Sequence, residues 1–563
     1  MLAITCACAG GVAARAQEVS TAGATPIDID GKAFAGLNLP EVPELYEEFD
    51  KQVANTALNG DDSTQPYESD ADSPWWNSSA AMPLRLGASS IPIDLDQLFV
   101  LTAAYSKRVL AVSQTPWIHR AQVEQAEAAF DPTFYHSTRL DSTSDPVENT
   151  LVTGGPPRLE DDIVGVDTGL RGQSRTGASY NVGQQLGHKN SNSTFFLPND
   201  QGYSRLFFNL TQPLLQGRRI DVNRSLVLNA KFETEAAQAA YHDALQKQLM
   251  QVSEVYWSLY SERASLLQRR RHIEAAGKIV QLLESRITHD TTRNQVLRAR
   301  AAAATRTAEI ARSEVEIRNL ESRLRAFVNA PELLADRQSE LVPVQVAQLL
   351  DVAFDLETEV ASALSQRPEL ADLTAKKLAA ETRIRLANDQ TRPRLDVVAE
   401  GYVAGRQGSS DVLGAWTDQF TTGRPGFATG LLFERPVHNR AATAAVRQRS
   451  LELAQLSHLM GEAKETIRAE VETAVRNVEA TKSEALSRYV ALQAVRDEVD
   501  YLNDRWLSLG NDPKFGPIQL DELLRSQDRQ LVEEQSLLQA TVAFQRALLE
   551  VQRATGSLIH FAH

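Results

Sequence analysis

The sequence predicts a mainly α-helical protein with a β-barrel portion, built from a unit that occurs twice: a strand followed by a long helical hairpin. Three observations predict it. Apolar residues recur every seven positions in two long tracts, as Leu245, Val252, Leu259, Leu266, Ile273, Val280 and Ile287, and again as Val471, Val478, Ala485, Leu492, Val499 and Trp506. A sustained seven-residue repeat is a coiled-coil seam. Runs of period two, RLFFNLTQ and FATGLLFE, precede the two tracts. Each run ends near a proline, Pro213 in FFNLTQPLLQGRR and Pro436 in GLLFERPVHNRAA. Proline suits a strand edge or the first turn of a helix and the interior of neither, so these two residues mark the strand–helix joints.

Composition agrees. Ala, Arg, Glu, Gln and Leu dominate the long tracts, as in extended helices. The net charge of −15 on 563 residues excludes nucleic acid as an expected partner, because phosphate binding needs basic surface. Basic side chains are interleaved with acids and read as solvated helix faces. No H-E-x-x-H and no phosphate-binding loop occurs, so no enzyme activity, cofactor or metal is expected.

In chain order, residues 1–16 resemble a signal peptide, with Ala14-Arg15-Ala16 as the cleavage site. They hold the only cysteines, Cys6 and Cys8, so disulfides play no part in the expected mature fold. A lipid anchor on Cys6 is the alternative use of this stretch. Residues 17–92 form an acidic arm expected to be largely disordered, with PWWNSS (Trp75, Trp76) as a docking exception. No later run is long and apolar enough for a transmembrane helix, which leaves a transmembrane barrel open.

The first repeat is placed at 93–340 and the second at 341–563. Helical patterning from Ile93 has Asp94 or Asp96 as cap and is interrupted at Pro116. Strand patterning follows: Leu206, Phe208 and Leu210 alternate with Arg205, Asn209 and Thr211, and TGASYNVGQQ alternates likewise. Gly-, Asn- and Ser-rich stretches, GHKNSNSTFFLPNDQG among them, read as connections. The first arm, 220–287, spans roughly 100 Å at about 1.5 Å per residue. Leu249 and Tyr256 supply a second seam, which Arg263 and Arg270 then replace. ITHDTTRN turns the chain, and a returning helix closes the hairpin. In the second half, RLDVVAEGYV puts Leu395, Val397, Ala399, Gly401 and Val403 on one face. LGNDPKFGP turns the second hairpin. Prolines 132 and 393 are further apart than 213 and 436, so the first half holds an insertion between its strands that includes TGASYNVGQQ. One half cannot close a sheet or bury a narrow seam. Several copies can act as staves of a composite tube, the strands forming a barrel and the helices its extension.

The ordered set of FNLTQPLLQGRR and LLFERPVHNR at the joints, ALSQRPEL opening the second half, VYWSLYSERASL in the first long helix and LDELLRSQDRQLVEEQ in the last resembles the TolC-like outer membrane efflux proteins over residues 93–557. The resemblance implies a homotrimeric duct. Four strands per protomer would form a twelve-stranded barrel among outer membrane lipids, and the hairpins a periplasmic tunnel. A periplasmic adaptor and an inner-membrane transporter would be its partners. It implies a gate of carboxylates at the start of the helix after the second tip, where Asp521 and Glu522 stand. A ring of like charges there favours cations or a divalent ion. The same two residues also suit the first turn of a helix. The tips, with Thr288, His289 and Asp290 in one and Asn511, Asp512 and Lys514 in the other, are the expected adaptor contacts or else plain solvated turns. Phe134, Tyr135, Tyr180, Phe207, Phe208, Tyr402, Phe427 and Phe433 are the expected lipid-facing or girdle aromatics, or else ordinary sheet core. The alternative function is a periplasmic coiled-coil adaptor or scaffold, which would carry one hairpin.

Overall fold

A computed structural model describes residues 74–85, 89–151, 153–285, 293–509 and 516–561. Both hairpin tips named above, and residues 1–73, lie outside the described residues.

Four helices stand side by side. α1 (Trp76–Ala80) and β1 (Ser90–Ile93) come first, then α2 (Leu95–Tyr105) and α3 (Lys107–Glu127). Asp94 is the cap of α2, accepting from the Gln97 amide. The expected break at Pro116 is not there. α3 runs through it, and the chain instead breaks at Ser106, which is extended between the two helices. β2 (Thr133–Pro146), β3 (Arg158–Gln173), β4 (Ser179–Ser191) and β5 (Asp200–Pro213) follow. A short α4 (Ile220–Asn223) leads into α5 (Ser225–Ser285), and α6 (Arg293–Val328) returns beside it. Next come α7 (Pro331–Ala335), β6 (Glu340–Pro343), α8 (Leu356–Gln366) and α9 (Pro368–Gln390). The chain ends with β7 (Arg394–Gly408), α10 (Val412–Thr421), β8 (Gly426–Glu434), α11 (Arg440–Leu509) and α12 (Gly516–Thr555). α5 packs between α3 and α9, and α9 packs on α11.

The sheet order is β2-β3-β4-β5-β7-β8, antiparallel throughout. The sheet therefore has six strands, not the expected four. β3 and β4 form an inserted hairpin between β2 and β5. Its turn is tight: the Ser174 amide donates to Ala178 O at 2.7 Å, and Gly177 holds φ +83° against the Gly217 carbonyl, where a side chain would collide. The stretch from Gly187 to Ser191, expected as connection, is strand. β1 and β6 pair parallel in a separate two-stranded sheet. The expected boundary at residue 92 therefore falls inside a strand.

Three apolar cores hold the helices. The largest gathers Leu245, Leu249, Val252, Tyr256, Leu259 and Leu266 of α5 with Leu98, Phe99, Leu324 and Leu341. The first four seam positions are thus fully buried, whereas Ile273 and Val280 are half-buried and Ala276, Ile279 and Leu283 replace them. A straight helix drifts about 20° per heptad against a strict seven-residue repeat, which carries the seam onto new positions. In α11, Val471, Val478, Ala485, Leu492 and Trp506 are buried, and Val499 is half-buried.

Trp76 is buried in the largest core and Trp75 donates to Glu534 at 3.3 Å, so the PWWNSS stretch docks. Asn77 Oδ1 accepts from the Tyr260 hydroxyl at 2.7 Å. Burial pushes the Tyr260 hydroxyl up to about 12.

Candidate functional site

Two surfaces stand out: the faces of the sheet, and the end of the helical bundle remote from it.

On one sheet face stand Phe134, Leu140, Val166, Leu170, Val182, Leu206, Phe208, Val397, Val403, Phe427, Leu431 and Phe433, as register requires. Phe134, Phe427, Leu431 and Phe433 are among the most exposed large apolar residues of the chain. The other face is polar. Lys189 pairs with Asp161 at 2.6 Å, and the Arg205 guanidinium lies 4.0 Å from the centre of the Tyr402 ring. Tyr135, Phe207 and Tyr402 belong to this polar face, apart from the other expected aromatics. They share one cross-strand row with Gly169, Gly183 and Gly426, and their rings cover those glycines. Phe134, Tyr180, Phe208, Phe427 and Phe433 lie on the apolar face. At the joints, Pro213 is the last residue of β5, and Pro436 lies in the short connection between β8 and α11.

At the remote end, Ile279 and Leu283 of α5, Val296 and Ala299 of α6, Leu502 and Trp506 of α11, and Leu520 and Leu523 of α12 form one core. It fixes the start of α12. Asp521 and Glu522 do not occupy the first turn, because the helix begins at Gly516. The helix-cap role expected for them is thereby excluded. Glu522 is exposed, and Asp521 pairs with Arg525 one turn on, at 2.8 Å.

One heptad further, Asp528 accepts from Arg306 at 2.6 Å and from His272 Nε2 at 3.0 Å. The sequence reading missed this cluster, although Asp528 repeats Asp521 at a spacing of seven. Burial holds the His272 pKa below its ordinary 6.5, and the Arg306 charge adds to this against the pull of Asp528. Beside His272 runs a groove of about 490 Å³, lined by Gln268, Arg271, Trp506, Gln527 and Glu534 among others.

A second network was read in sequence only as an interruption of a seam. Arg263 is fully buried. It pairs with Glu340 at 2.5 Å and donates to Ala80 O at 3.1 Å and Met82 O at 2.6 Å. The amides of Leu84 and Arg85 donate to the same carboxylate at 2.9 and 3.0 Å. Burial works against the Glu340 charge, but these amides and Arg263 outweigh it and hold its pKa below the ordinary 4.5. Arg85 in turn pairs with Glu321 at 2.7 Å. The arginine at a seam position ties α5 to β6 and to residues 80–85.

No family model matches the sequence, and no curated protein matches it. Solved structures do. The chain is similar to the Campylobacter jejuni CmeC outer membrane channel, at 13% identity and a TM-score of 0.59, over 88% of this chain and 94% of that one. It is similar to the outer-membrane channel OprN at 15% identity and a TM-score of 0.58, over 82% and 89%. It is similar to the outer membrane protein VceC of Vibrio cholerae at 16% identity and a TM-score of 0.54, over 82% and 96%. Paired long hairpins joined to an amphipathic sheet are the architecture that the chain shares with these structures. By that architecture, the chain has the fold of the TolC-like outer membrane efflux proteins.

Proposed function

We propose that the chain is one protomer of a homotrimeric outer membrane duct of a tripartite efflux or type I secretion system. Such a duct passively conducts substrates handed over by an inner-membrane transporter and a periplasmic adaptor. The observation that carries this reading is the pair of open edges on one amphipathic sheet. β2 and β8 are its outermost strands, each paired on one side only among the described residues. β2 leaves the helical end and β8 returns to it, so β8 of one copy meets β2 of the next in the antiparallel sense. The helices repeat the pattern: α3 buries only Val109, leaving Trp117 and Ile118 exposed, and α11 exposes Leu451, Leu486, Val490 and Tyr501. The apolar face then meets lipid and the polar face lines the lumen.

Three six-stranded sheets would supply about eighteen strands in place of twelve, and barrel diameter grows with strand number. The inserted hairpin thereby widens the mouth. Asp521 and Glu522 act as a gate at the tunnel end, with Thr288, His289, Asp290, Asn511, Asp512 and Lys514 as adaptor contacts. Residues 1–16 serve as the export signal, 17–92 as an arm whose part from Pro74 on is docked on the helices, and 93–340 and 341–563 as the two repeats. The adaptor alternative predicted a single hairpin, whereas the chain carries two, each flanked by strands of one open sheet.

The test is membrane fractionation followed by conductance in planar bilayers. A detergent-dependent outer membrane protein that conducts, with altered conductance in the Asp521→Ala/Glu522→Ala variant, supports duct and gate. Unchanged conductance removes the gate assignment, and a soluble periplasmic monomer or dimer removes the duct.

A further inference from the structure

The apolar face of the sheet is interrupted by polar side chains at several places, among them His136, Thr138 and Asp162 on β2 and β3, and one such interruption lies under a helix. Near the ends of β4, β5 and β7 remote from the long helices the face carries Gln184, Gly202, Ser204 and Gly405 in place of apolar side chains. β8 does not reach this level, since its pairing with β7 stops at Gly426 opposite Tyr402. Exposed to hydrocarbon, these amide and hydroxyl groups would be costly.

α10 covers that gap. Its carbonyl at Ala415 lies so close to Gly405 that a side chain there would collide, and Gly202 admits the backbone of Asp411 in the same way. The inward side of α10 presents Ala415 and Gln419, both buried. Gln419 Oε1 accepts from the Ser204 hydroxyl at 2.9 Å and from Gln184 Nε2 at 3.3 Å, while Gln184 also donates to Ser204 at 2.8 Å. The three polar groups satisfy one another beneath the helix. The outward side carries Leu413, Trp416 and Phe420, all exposed, at the spacing of one helical stripe. Trp416 and Phe420 pack edge to face with ring centres 5.7 Å apart. Asp411 caps the start of the helix by accepting from the Gly414 amide at 2.8 Å.

The helix thus replaces a polar patch with an apolar one, continuous with the exposed Phe427, Leu431 and Phe433 of β8. We propose that α10 is a lipid-facing helix laid on the outside of the barrel, with Leu413, Trp416 and Phe420 seated among the acyl chains of the outer leaflet. The occupant is lipid because the outward stripe of α10 is apolar and lies on the sheet face that carries the exposed Phe427, Leu431 and Phe433. That stripe includes a tryptophan, the residue suited to the boundary between chains and headgroups. This inference rests on the reading of the sheet as an outer membrane barrel.

The test uses the full chain in liposomes, on a Cys6→Ser/Cys8→Ser background, with single spin labels at Leu413→Cys, Trp416→Cys and Phe420→Cys. Labels at Phe427→Cys, Leu431→Cys and Phe433→Cys are the sheet controls. The expected result is a high oxygen-to-nickel-chelate accessibility ratio on the helix, equal to that of the controls. Chelate access on the helix with lipid-exposed controls overturns the proposal and leaves the barrel standing. Helix labels shielded from both reagents mean a protein occupant, such as a second copy, and also overturn it. Chelate access at the controls as well overturns the barrel reading and the proposal together.

Discussion

The first arms of the two long helical hairpins, α5 and α11, carry similar seven-residue patterns and are buried differently. α5 is packed on nearly all sides where it passes β6: Tyr256, Trp257, Leu259, Tyr260, Arg263 and Ala264 are all buried. α11 buries a single stripe and leaves Leu451, Leu486, Val490 and Tyr501 exposed. The strands differ likewise. β5 is central, whereas β8 is exposed along almost its whole length. The first half therefore supplies the interior of the protomer, and the second supplies one of its open flanks. On the proposed reading, the difference between the two units follows from which one meets its own chain and which meets another copy.

The largest effect should come from charging the open flank. Leu486→Asp/Val490→Asp, on exposed α11 positions, is expected to abolish the trimer while leaving the thermal unfolding of the protomer unchanged. Native mass analysis and circular dichroism would check this. A drop in protomer stability would show that the stripe is internal.

Next is the interior of the first half. Arg263→Ala leaves Glu340 buried without its cation and is expected to cost about 3–5 kcal/mol, read from denaturant midpoints. Arg263→Met/Glu340→Gln should recover a large part of it. The carboxylate's depressed pKa implies stability present above about 4.5 and lost as pH falls through the folded-state value. The second half has its own buried arginine, Arg367, which bonds Glu369, Glu470 and the Ala554 carbonyl. Both carboxylates are over a third exposed. Arg367→Ala should therefore cost less, about 1–3 kcal/mol. An equal loss at the two sites would erase the contrast between the halves.

The smallest effect is a pH slope. The His272 pKa is lowered in the folded protein, so the unfolded chain takes up its proton first. Stability should fall as pH drops from 7 through the ordinary 6.5, then level off below the folded-state value. His272→Gln should remove that slope, as followed by thermal unfolding between pH 7 and pH 5.

Much of this was legible in sequence because periodicity reports burial directly. The seams at Leu245–Leu266 and Val471–Leu492, the joints at Pro213 and Pro436 and the alternation in β4, β5, β7 and β8 all follow from it. β3 was not legible. Asp161, Asp162 and Asp167 with Gly165, Gly169 and Gly172 are turn-forming residues in isolation. Their place in a strand depends on cross-strand partners, since the Tyr135 and Tyr203 hydroxyls sit over Gly169 and Gly165. Arg263 read as a broken seam because its partners, Glu340 and residues 80–82, are remote in the chain. α10 escaped notice because it is short and apolar on its outer side as well. Asp528 escaped because its partners come from two other helices.

The most direct test of the central claim is electron cryo-microscopy of the detergent-extracted particle. The account predicts three copies whose β8 strands pair with the β2 strand of the next copy, closing one barrel with six strands from each. A particle in which β2 and β8 stay unpaired, or in which β2 pairs with β5 and the β3–β4 hairpin lies outside the wall, would contradict it.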